Sequence, residues 1–214
     1  MDLWHNGGPA RGSNNSFAEC STSSLPYPTV DPEDPTSAPQ RNSTCEYEDA
    51  LFLRFVSDAI KKHDVSKPLF LFWAGTLART ASELEVVVLL SLALTRSFAA
   101  HIVHSPLQVP KPFYYAMAAV PDDKRRRYLA MVSFLDAAVK NVTGLLKQKQ
   151  MWANTLLVFS SDNGGPIYFG GTAGANNYPM RGGKTSNFQG GIRVKYLPLL
   201  AYLLVSVPEE VLHC

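Results

Sequence analysis

The sequence predicts an α/β fold, a three-layer sandwich in which helices cover a central sheet. Two stretches, residues 46–63 and 126–149, carry apolar residues at helical spacing. Each is followed by a short, uninterrupted apolar run, at 68–74 and 155–160, which is typical of a strand buried on both faces of a parallel sheet. The repeated order of helix and strand favours a layered α/β architecture.

The first predicted helix follows an irregular segment. Residues 1–45 are rich in Pro, Ser, Thr and Asn and have no sustained periodicity, so we expect loops there. Within residues 46–63, acidic residues lie at the start and basic residues at the end, as the helix dipole favours. The stripe expected to be buried is Phe52, Phe55, Val56, Ala59 and Ile60.

The second predicted helix begins in a basic cluster, Lys-Arg-Arg-Arg at 124–127, preceded by Asp122 and Asp123. The expectation is a solvated helix start with the acids at its positive end. A net charge of +2, with 18% charged residues, does not indicate a nucleic-acid partner. The stripe expected to be buried is Leu129, Val132, Leu135, Val139, Val142 and Leu146.

Two apolar stretches, residues 84–94 and 196–204, do not fit this alternation. Neither reaches the roughly 20 apolar residues that a membrane-spanning helix requires, so we expect no membrane span. The first residues have no basic region followed by an apolar one, so no signal peptide is expected in this chain. Glycosylation sequons at Asn14, Asn42 and Asn141 nevertheless suit a secretory or lysosomal route.

The segment Ser-Ser-Asp-Asn-Gly-Gly, at 160–165, follows a predicted strand. Ligand sites of open α/β sheets lie at the carboxyl ends of their strands. Asp162 offers a carboxylate and Asn163 an amide oxygen, which are ligands that Ca²⁺ or Mg²⁺ prefers. Taken alone, however, Asp-Asn-Gly also describes an ordinary turn. The turn by itself therefore leaves a metal site and a structural turn as alternatives.

Further motifs follow the turn, with Asn-Asn-Tyr-Pro-Met-Arg-Gly-Gly-Lys at 176–184 and Phe-Gln-Gly-Gly-Ile-Arg-Val at 188–194. Earlier in the chain lie His-Ser-Pro-Leu-Gln-Val-Pro, at 104–110, and Met-Val-Ser-Phe-Leu-Asp, at 131–136. In this order they resemble the type I sulfatase family, and more narrowly arylsulfatase B (N-acetylgalactosamine-4-sulfatase) and its relatives. Gln189 stands where Glu is usual in that family.

The resemblance implies an alkaline-phosphatase-like fold and a sulfuric-ester hydrolase acting on aryl sulfates or sulfated sugars. It assigns Asp162 and Asn163 as ligands of Ca²⁺, in preference to Mg²⁺. It assigns Lys184 to the sulfate and the leaving oxygen, and His104 to the sulfate and to protonation of the leaving group. Without the surrounding motifs, Lys184 would be taken as a surface lysine, and His101 would be as good a candidate as His104.

Members of the family use a Cys-x-Pro-Ser-Arg cysteine, oxidised to formylglycine, as the nucleophile. The cysteines here, Cys20, Cys45 and Cys214, do not lie in that motif, so we expect this chain alone to be inactive. The resemblance implies a disulfide between Cys20 and Cys45. Two alternatives are a non-catalytic remnant or binding protein and a phosphoester hydrolase of the same superfamily. The Asp-Asn pair, in place of Asp-His, favours the sulfatase branch over the latter.

The resemblance covers residues 1–74 and 100–194. We therefore expect a partial catalytic domain at 1–194, without the family's N-terminal strand region and small C-terminal domain. An apparent insertion would interrupt it at about 75–99, and residues 195–214 would form a non-matching tail. We infer translated non-coding sequence at 75–99 and after residue 194, with a genuine insertion as the alternative. The family resemblance implies a lysosomal or secreted protein, and the oligomeric state is left open.

Overall fold

The computed structural model describes residues 4–5, 8–9, 47–73, 84–89, 95–98, 107–167, 174–194 and 196–200. The helices are α1 (Glu48–Lys62), α2 (Lys111–Ala116), α3 (Asp123–Gln148) and α4 (Gln189–Ile192), with a 3₁₀ turn at Trp152–Asn154. The strands are β1 (Trp4–His5), β2 (Gly8–Pro9), β3 (Phe70–Trp73), β4 (Leu84–Leu89), β5 (Thr95–Phe98), β6 (Leu156–Ser161) and β7 (Tyr196–Leu200). The two predicted helices and the two predicted strands are confirmed, and the fold is of the α/β class.

A mixed sheet has the strand order β5-β3-β4-β6-β7. Strand β4 pairs antiparallel with both β3 and β6, so those two strands run in the same direction without being neighbours. Strand β5 is parallel to β3, and β7 is antiparallel to β6. Strands β1 and β2 form a separate antiparallel pair. The carboxyl ends of β3 and β6 therefore lie at the same edge of the sheet.

The span predicted to be an insertion contains β4 and β5. Strand β4 lies between the two strands that the sequence predicted, with Leu71 opposite Val88 and Val88 opposite Leu157. The predicted tail likewise contributes β7. Part of each span is thus built into the sheet, and the domain boundaries at 75–99 and 195–214 stay predictions.

The core lies between one face of this sheet and the helices. Leu71 and Trp73 on β3 and Leu157 on β6 are fully buried in one cluster with Val56 and Ile60 of α1. Burying a side chain of this size contributes about 1.5–3 kcal/mol. Because Val88 separates Leu71 from Leu157 in register, the same helical layer spans β3, β4 and β6.

The buried stripes of the helices differ in part from the expected ones. Val56 and Ile60 of α1 are buried as predicted, whereas Phe52 and Phe55 are only half-buried. In α3, Phe134 points into the core, where its ring meets Tyr47 and Phe113 edge-on at 5.0 and 5.2 Å between centroids. The buried residues of α3 are Ala130, Met131, Phe134, Leu135, Ala138, Val142, Leu145 and Leu146.

Leu135, Val142 and Leu146 of α3 are buried as predicted, and the orientation of Phe134 explains the part of the stripe that differs. With that ring turned inward, Val132 is rotated outward and is 38% exposed. By length and composition alone, α3 could also cross a membrane, and 44% of its most apolar window is buried. A core helix satisfies the same criteria, so the expectation of no membrane span stays a prediction.

The basic start of α3 is less solvated than the sequence indicated. Asp122 caps the helix by accepting the backbone N–H of Arg125 at 2.7 Å. The Arg125 Nη1 donates to the carbonyl oxygen of Gly174 at 2.7 Å, and the Arg126 Nε donates to that of Val120 at 2.9 Å. These two arginine side chains therefore hold neighbouring loops against the helix. Arg125 in particular anchors the polypeptide that leads into the candidate site.

Candidate functional site

The Asp-Asn turn begins where β6 ends, at Ser161. Asp162 is exposed and Asn163 is half-buried. The Ser161 Oγ donates to the carbonyl oxygen of Asn163 at 2.8 Å, and the Asn163 Nδ2 donates to the Asp162 Oδ2. The amide oxygen Oδ1 of Asn163 is buried and accepts no hydrogen bond from the residues that the structure describes. One carboxylate and one unpaired amide oxygen therefore lie side by side at the sheet edge.

An unpartnered buried oxygen costs about 1–3 kcal/mol unless something satisfies it. A hard cation beside Asp162 would do so, and the pair therefore fits a Ca²⁺ site. Among the residues that the structure describes, however, no three His, Cys, Asp or Glu side chains cluster closely enough to hold a metal. The described side chains thus supply only part of the roughly 6–8 oxygen ligands of Ca²⁺.

A second loop is bound to this turn through the side chain of Asn177. Its Oδ1 accepts the N–H of Gly165 at 3.0 Å, and its Nδ2 donates to the carbonyl oxygen of Gly165 at 2.8 Å. The same Nδ2 donates to the carbonyl oxygen of Gly182 at 3.0 Å. One asparagine thereby joins the Asp-Asn-Gly-Gly turn to the Arg-Gly-Gly-Lys segment.

Glycines allow three backbone segments to pack directly on one another. The Gly164 N–H donates to the carbonyl oxygen of Gly191 at 2.9 Å, and the Gly190 N–H donates to that of Arg181 at 2.8 Å. A Cβ on Gly164 would overlap the Gly190 carbonyl, and one on Gly190 would overlap the carbonyl of Gly182. The paired glycines of the motifs are therefore required by close backbone approach.

Lys184 lies in the same cluster of loops. Its N–H donates to the carbonyl oxygen of Gly165 at 3.2 Å, and its side chain is half-buried. The next residue, Thr185, has φ +72°, a conformation that β-branched residues rarely adopt. Ser186 stabilises this turn, because its Oγ donates to the Gly183 carbonyl oxygen at 2.8 Å and its N–H donates to the same oxygen at 3.0 Å. Backbone strain such as the positive φ of Thr185 is more common at functional sites than elsewhere in proteins.

Three of the four predicted site residues therefore belong to one set of connected loops. Asp162 and Asn163 begin the turn, and Lys184 is hydrogen-bonded through its backbone to Gly165 within that turn. His104, like His101, lies outside the described residues, so its approach to the site stays a prediction. The same holds for Cys20, Cys45 and Cys214.

The sequence did not predict the role of Asn177. The signal was present, since Asn-Asn-x-Pro was one of the motifs behind the family resemblance. Which of the two asparagines reaches the turn depends on the backbone, because Asn176 instead accepts the N–H of Tyr178 at 2.9 Å. Adjacent residues of one type therefore have different tasks, and spacing alone could not distinguish them.

Comparisons with known proteins agree with these motifs. The family model described as Sulfatase matches residues 97–201. Arylsulfatase J of Mus musculus is 35% identical over 69% of this chain and 20% of its own length. The N-acetylgalactosamine-6-sulfatase of Sus scrofa is 34% identical over 38% of this chain and 16% of its own length. That of Homo sapiens is 26% identical over 67% of this chain and 22% of its own length.

Among solved structures, Ps i-CgsB in complex with k-i-k-neocarrahexaose is 35% identical. The match covers 48% of this chain and 22% of that one, with a TM-score of 0.44. The chain spans about a fifth of the length of the curated relatives that it matches. The family model and these relatives support assigning this chain to the type I sulfatases and its fold to the alkaline-phosphatase-like α/β class.

Proposed function

We propose that this chain carries part of the centre of a calcium-dependent sulfuric-ester hydrolase. The observation that supports it most is the unpartnered, buried Oδ1 of Asn163 beside the carboxylate of Asp162. Calcium bound there would supply positive charge to a sulfate group. Its remaining ligands would come from elsewhere, since the described residues do not complete the set.

The chain's own contribution at the anion would come from Lys184 and His104. Cleavage of a sulfate ester builds negative charge on the bridging oxygen, which an ammonium group stabilises electrostatically. The half-buried Lys184, whose backbone N–H donates to Gly165, would provide that ammonium group. His104 would hold the proton that the leaving oxygen receives.

We propose a sulfated sugar as the substrate class, with simple aryl sulfates also accepted. Relatives named N-acetylgalactosamine-6-sulfatase support the sugar, and one named arylsulfatase J supports the aryl ester. The family's nucleophile, formylglycine, would arise from a cysteine in Cys-x-Pro-Ser-Arg. Because that motif is not among these 214 residues, this chain alone should bind sulfate without turning it over. We further propose a lysosomal or secreted location, as the family resemblance implies.

The test measures binding of p-nitrocatechol sulfate to the full chain, with Ca²⁺ and then with EDTA. Lys184→Ala should weaken binding about tenfold, the effect expected for losing a charge-assisted contact of about 1.5 kcal/mol. Lys124→Ala is the matched control, since Lys124 is exposed on α3. Equal affinities for wild type and Lys184→Ala would contradict the assignment. Calcium-dependent turnover that Lys184→Ala abolishes would contradict the claim that the nucleophile is missing.

A binding protein without catalysis is the second candidate. It would retain calcium and sulfate binding in the same test, and it differs only when the missing nucleophile is supplied. Co-expression with a polypeptide that carries Cys-x-Pro-Ser-Arg, in a host that generates formylglycine, distinguishes the two. Turnover in that mixture supports the hydrolase, and binding without turnover supports the binding protein.

A further inference from the structure

An aromatic ring and a guanidinium group pair at the surface of the loop cluster. The Arg181 Cζ lies 4.2 Å from the centroid of the Phe188 ring. Both side chains are exposed, with 46% of Phe188 accessible to solvent. Their backbones are tied to α4, since Gly190 donates to the Arg181 carbonyl oxygen and Gly191 to that of Phe188, both at 2.8 Å. The pair is therefore fixed in place while both groups remain available to a ligand.

A second aromatic ring, that of Tyr178, projects from the same loop. At 87% exposure, it is the most exposed large hydrophobic side chain among the described residues. Its backbone is nevertheless fixed, because its N–H donates to Asn176 Oδ1 and the neighbouring Asn177 clamps the turn. A single exposed ring is common on protein surfaces, but aromatic side chains are enriched where proteins bind partners, and this ring lies on the same loop as the Arg181–Phe188 pair.

The charged side chains of the segment at 174–194 are all of one sign. No Asp or Glu occurs between residues 163 and 208, whereas Arg181, Lys184, Arg193 and Lys195 are all basic. The segment at 174–194 thus has no carboxylate of its own to neutralise these bases. Its charge complements an anionic ligand, and its rings add apolar surface for a ligand that is not a bare ion.

We propose that Arg181, Phe188 and Tyr178 bind an acidic sugar unit of a glycan chain, next to the unit whose sulfate ester lies at Lys184. This inference rests on the proposed function and deepens it. The planar guanidinium of Arg181 accommodates a sulfate or carboxylate through two parallel hydrogen bonds, while its face stays on Phe188. The rings of Phe188 and Tyr178 cover the apolar face of the pyranose.

Two kinds of ligand should differ in which residues they contact. A small aryl sulfate reaches Lys184 and leaves the surface of Arg181, Phe188 and Tyr178 empty. A sulfated oligosaccharide uses both. Binding of the oligosaccharide should therefore depend on Arg181 and Phe188, and binding of the aryl sulfate should not.

The probes are a chondroitin 4-sulfate hexasaccharide, its desulfated form and p-nitrocatechol sulfate, titrated calorimetrically into the full chain with Ca²⁺. Arg181→Gln and Phe188→Ala should each weaken hexasaccharide binding about five- to tenfold, as expected for losing a charge-assisted or a cation–π contact. Lys140→Gln is the control, because Lys140 is exposed on α3 outside this segment, and it should change affinity less than about twofold. Arg181→Lys keeps the charge without the planar fork and should weaken binding nearly as much as Arg181→Gln.

The outcomes are distinguishable. Hexasaccharide affinity that is unchanged in Arg181→Gln and Phe188→Ala, or lowered equally by Lys140→Gln, overturns the subsite whatever Lys184 does. Hexasaccharide binding that depends on Arg181 and Phe188 while p-nitrocatechol sulfate does not bind supports the subsite and contradicts the sulfate centre at Lys184. Circular dichroism verifies that each variant folds. If one does not, Tyr178→Ala, which alters the most exposed of the rings, provides the same test.

Discussion

The side chain of Asn177 binds both polar groups of Gly165, accepting its N–H at 3.0 Å and donating to its carbonyl oxygen at 2.8 Å. Since Lys184 donates its own N–H to that same carbonyl at 3.2 Å, the glycine is the point where the two loops of the site meet. The geometry of Lys184 relative to the Asp-Asn turn therefore depends on a residue that touches neither sulfate nor metal in our account.

The first prediction concerns the hydrogen bonds that the Asn177 side chain makes to Gly165 and Gly182. Asn177→Ala removes three hydrogen bonds to half-buried backbone and should lower the free energy of unfolding by about 2–3 kcal/mol. Asn176→Ala is the matched control, because the exposed Asn176 makes one such bond and should cost about 1 kcal/mol or less. Urea denaturation measures both. Equal losses in the two variants would mean that Asn177 does not hold the loops together.

The second prediction concerns pH. The hydrogen bond from the Tyr114 hydroxyl, at 2.6 Å, and then the Arg127 Nε, at 2.7 Å, lower the pKa of Asp123. A lowered pKa in the folded state stabilises the protein above the unfolded carboxyl pKa, and this contribution is lost as pH falls through the folded pKa. Tyr114→Phe removes the largest cause and should raise the pKa of Asp123. Carbon-detected NMR titration measures it, and identical titration curves for the two proteins would rule out this cause.

The third prediction concerns the sequon at Asn141. This residue lies within α3, and its Oδ1 accepts the hydroxyl of Ser57, a fully buried residue, at 3.0 Å. The Thr143 hydroxyl is engaged with the carbonyl oxygen of Val139 at 2.9 Å. A glycan on Asn141 would break the contact with α1. Mass spectrometry of protein from a secretory host should therefore find Asn141 unmodified, and a glycan there in folded protein would contradict the packing of α1 on α3.

The fourth prediction concerns Cys20 and Cys45, which lie outside the described residues. The family resemblance implies that they form a disulfide, which leaves Cys214 as the one free thiol. Ellman titration of the purified, unreduced monomer should find about one thiol per chain. Two or more would contradict the pairing.

Local sequence patterns predicted the elements well and their partners less well. The apolar runs at β3 and β6 were correctly assigned as strands, but a continuous apolar run does not specify the direction of its neighbour. A parallel sheet was expected, but in the structure β3 and β6 each pair antiparallel with β4. The stripe of α3 was misjudged at Val132 because the ring of Phe134, fixed by Tyr47 and Phe113, sets the rotation of the helix.

The candidate site could be predicted as far as its motifs reach. Asp162, Asn163 and Lys184 were recognised from the order of those motifs, and the structure connects them through Gly165. The contacts that hold them together are between backbones, as where Gly164 meets Gly191. In the sequence, only the presence of a glycine indicates such a contact, and it does not show which backbone segment the glycine packs against. The packing therefore could not be derived from residue types.

The central claim is that the Asp162–Asn163 pair binds calcium, and calorimetric titration of Ca²⁺ into the full chain tests it most directly. Wild type should bind one ion with a dissociation constant of about 10⁻³ M or weaker, because the described ligand set is partial. Asn163→Ala should abolish this binding, Asn163→Asp should tighten it by adding a carboxylate, and Asn187→Ala, at an exposed asparagine of the same loops, should leave it unchanged. Calcium binding that is equally strong in wild type and Asn163→Ala would contradict the account.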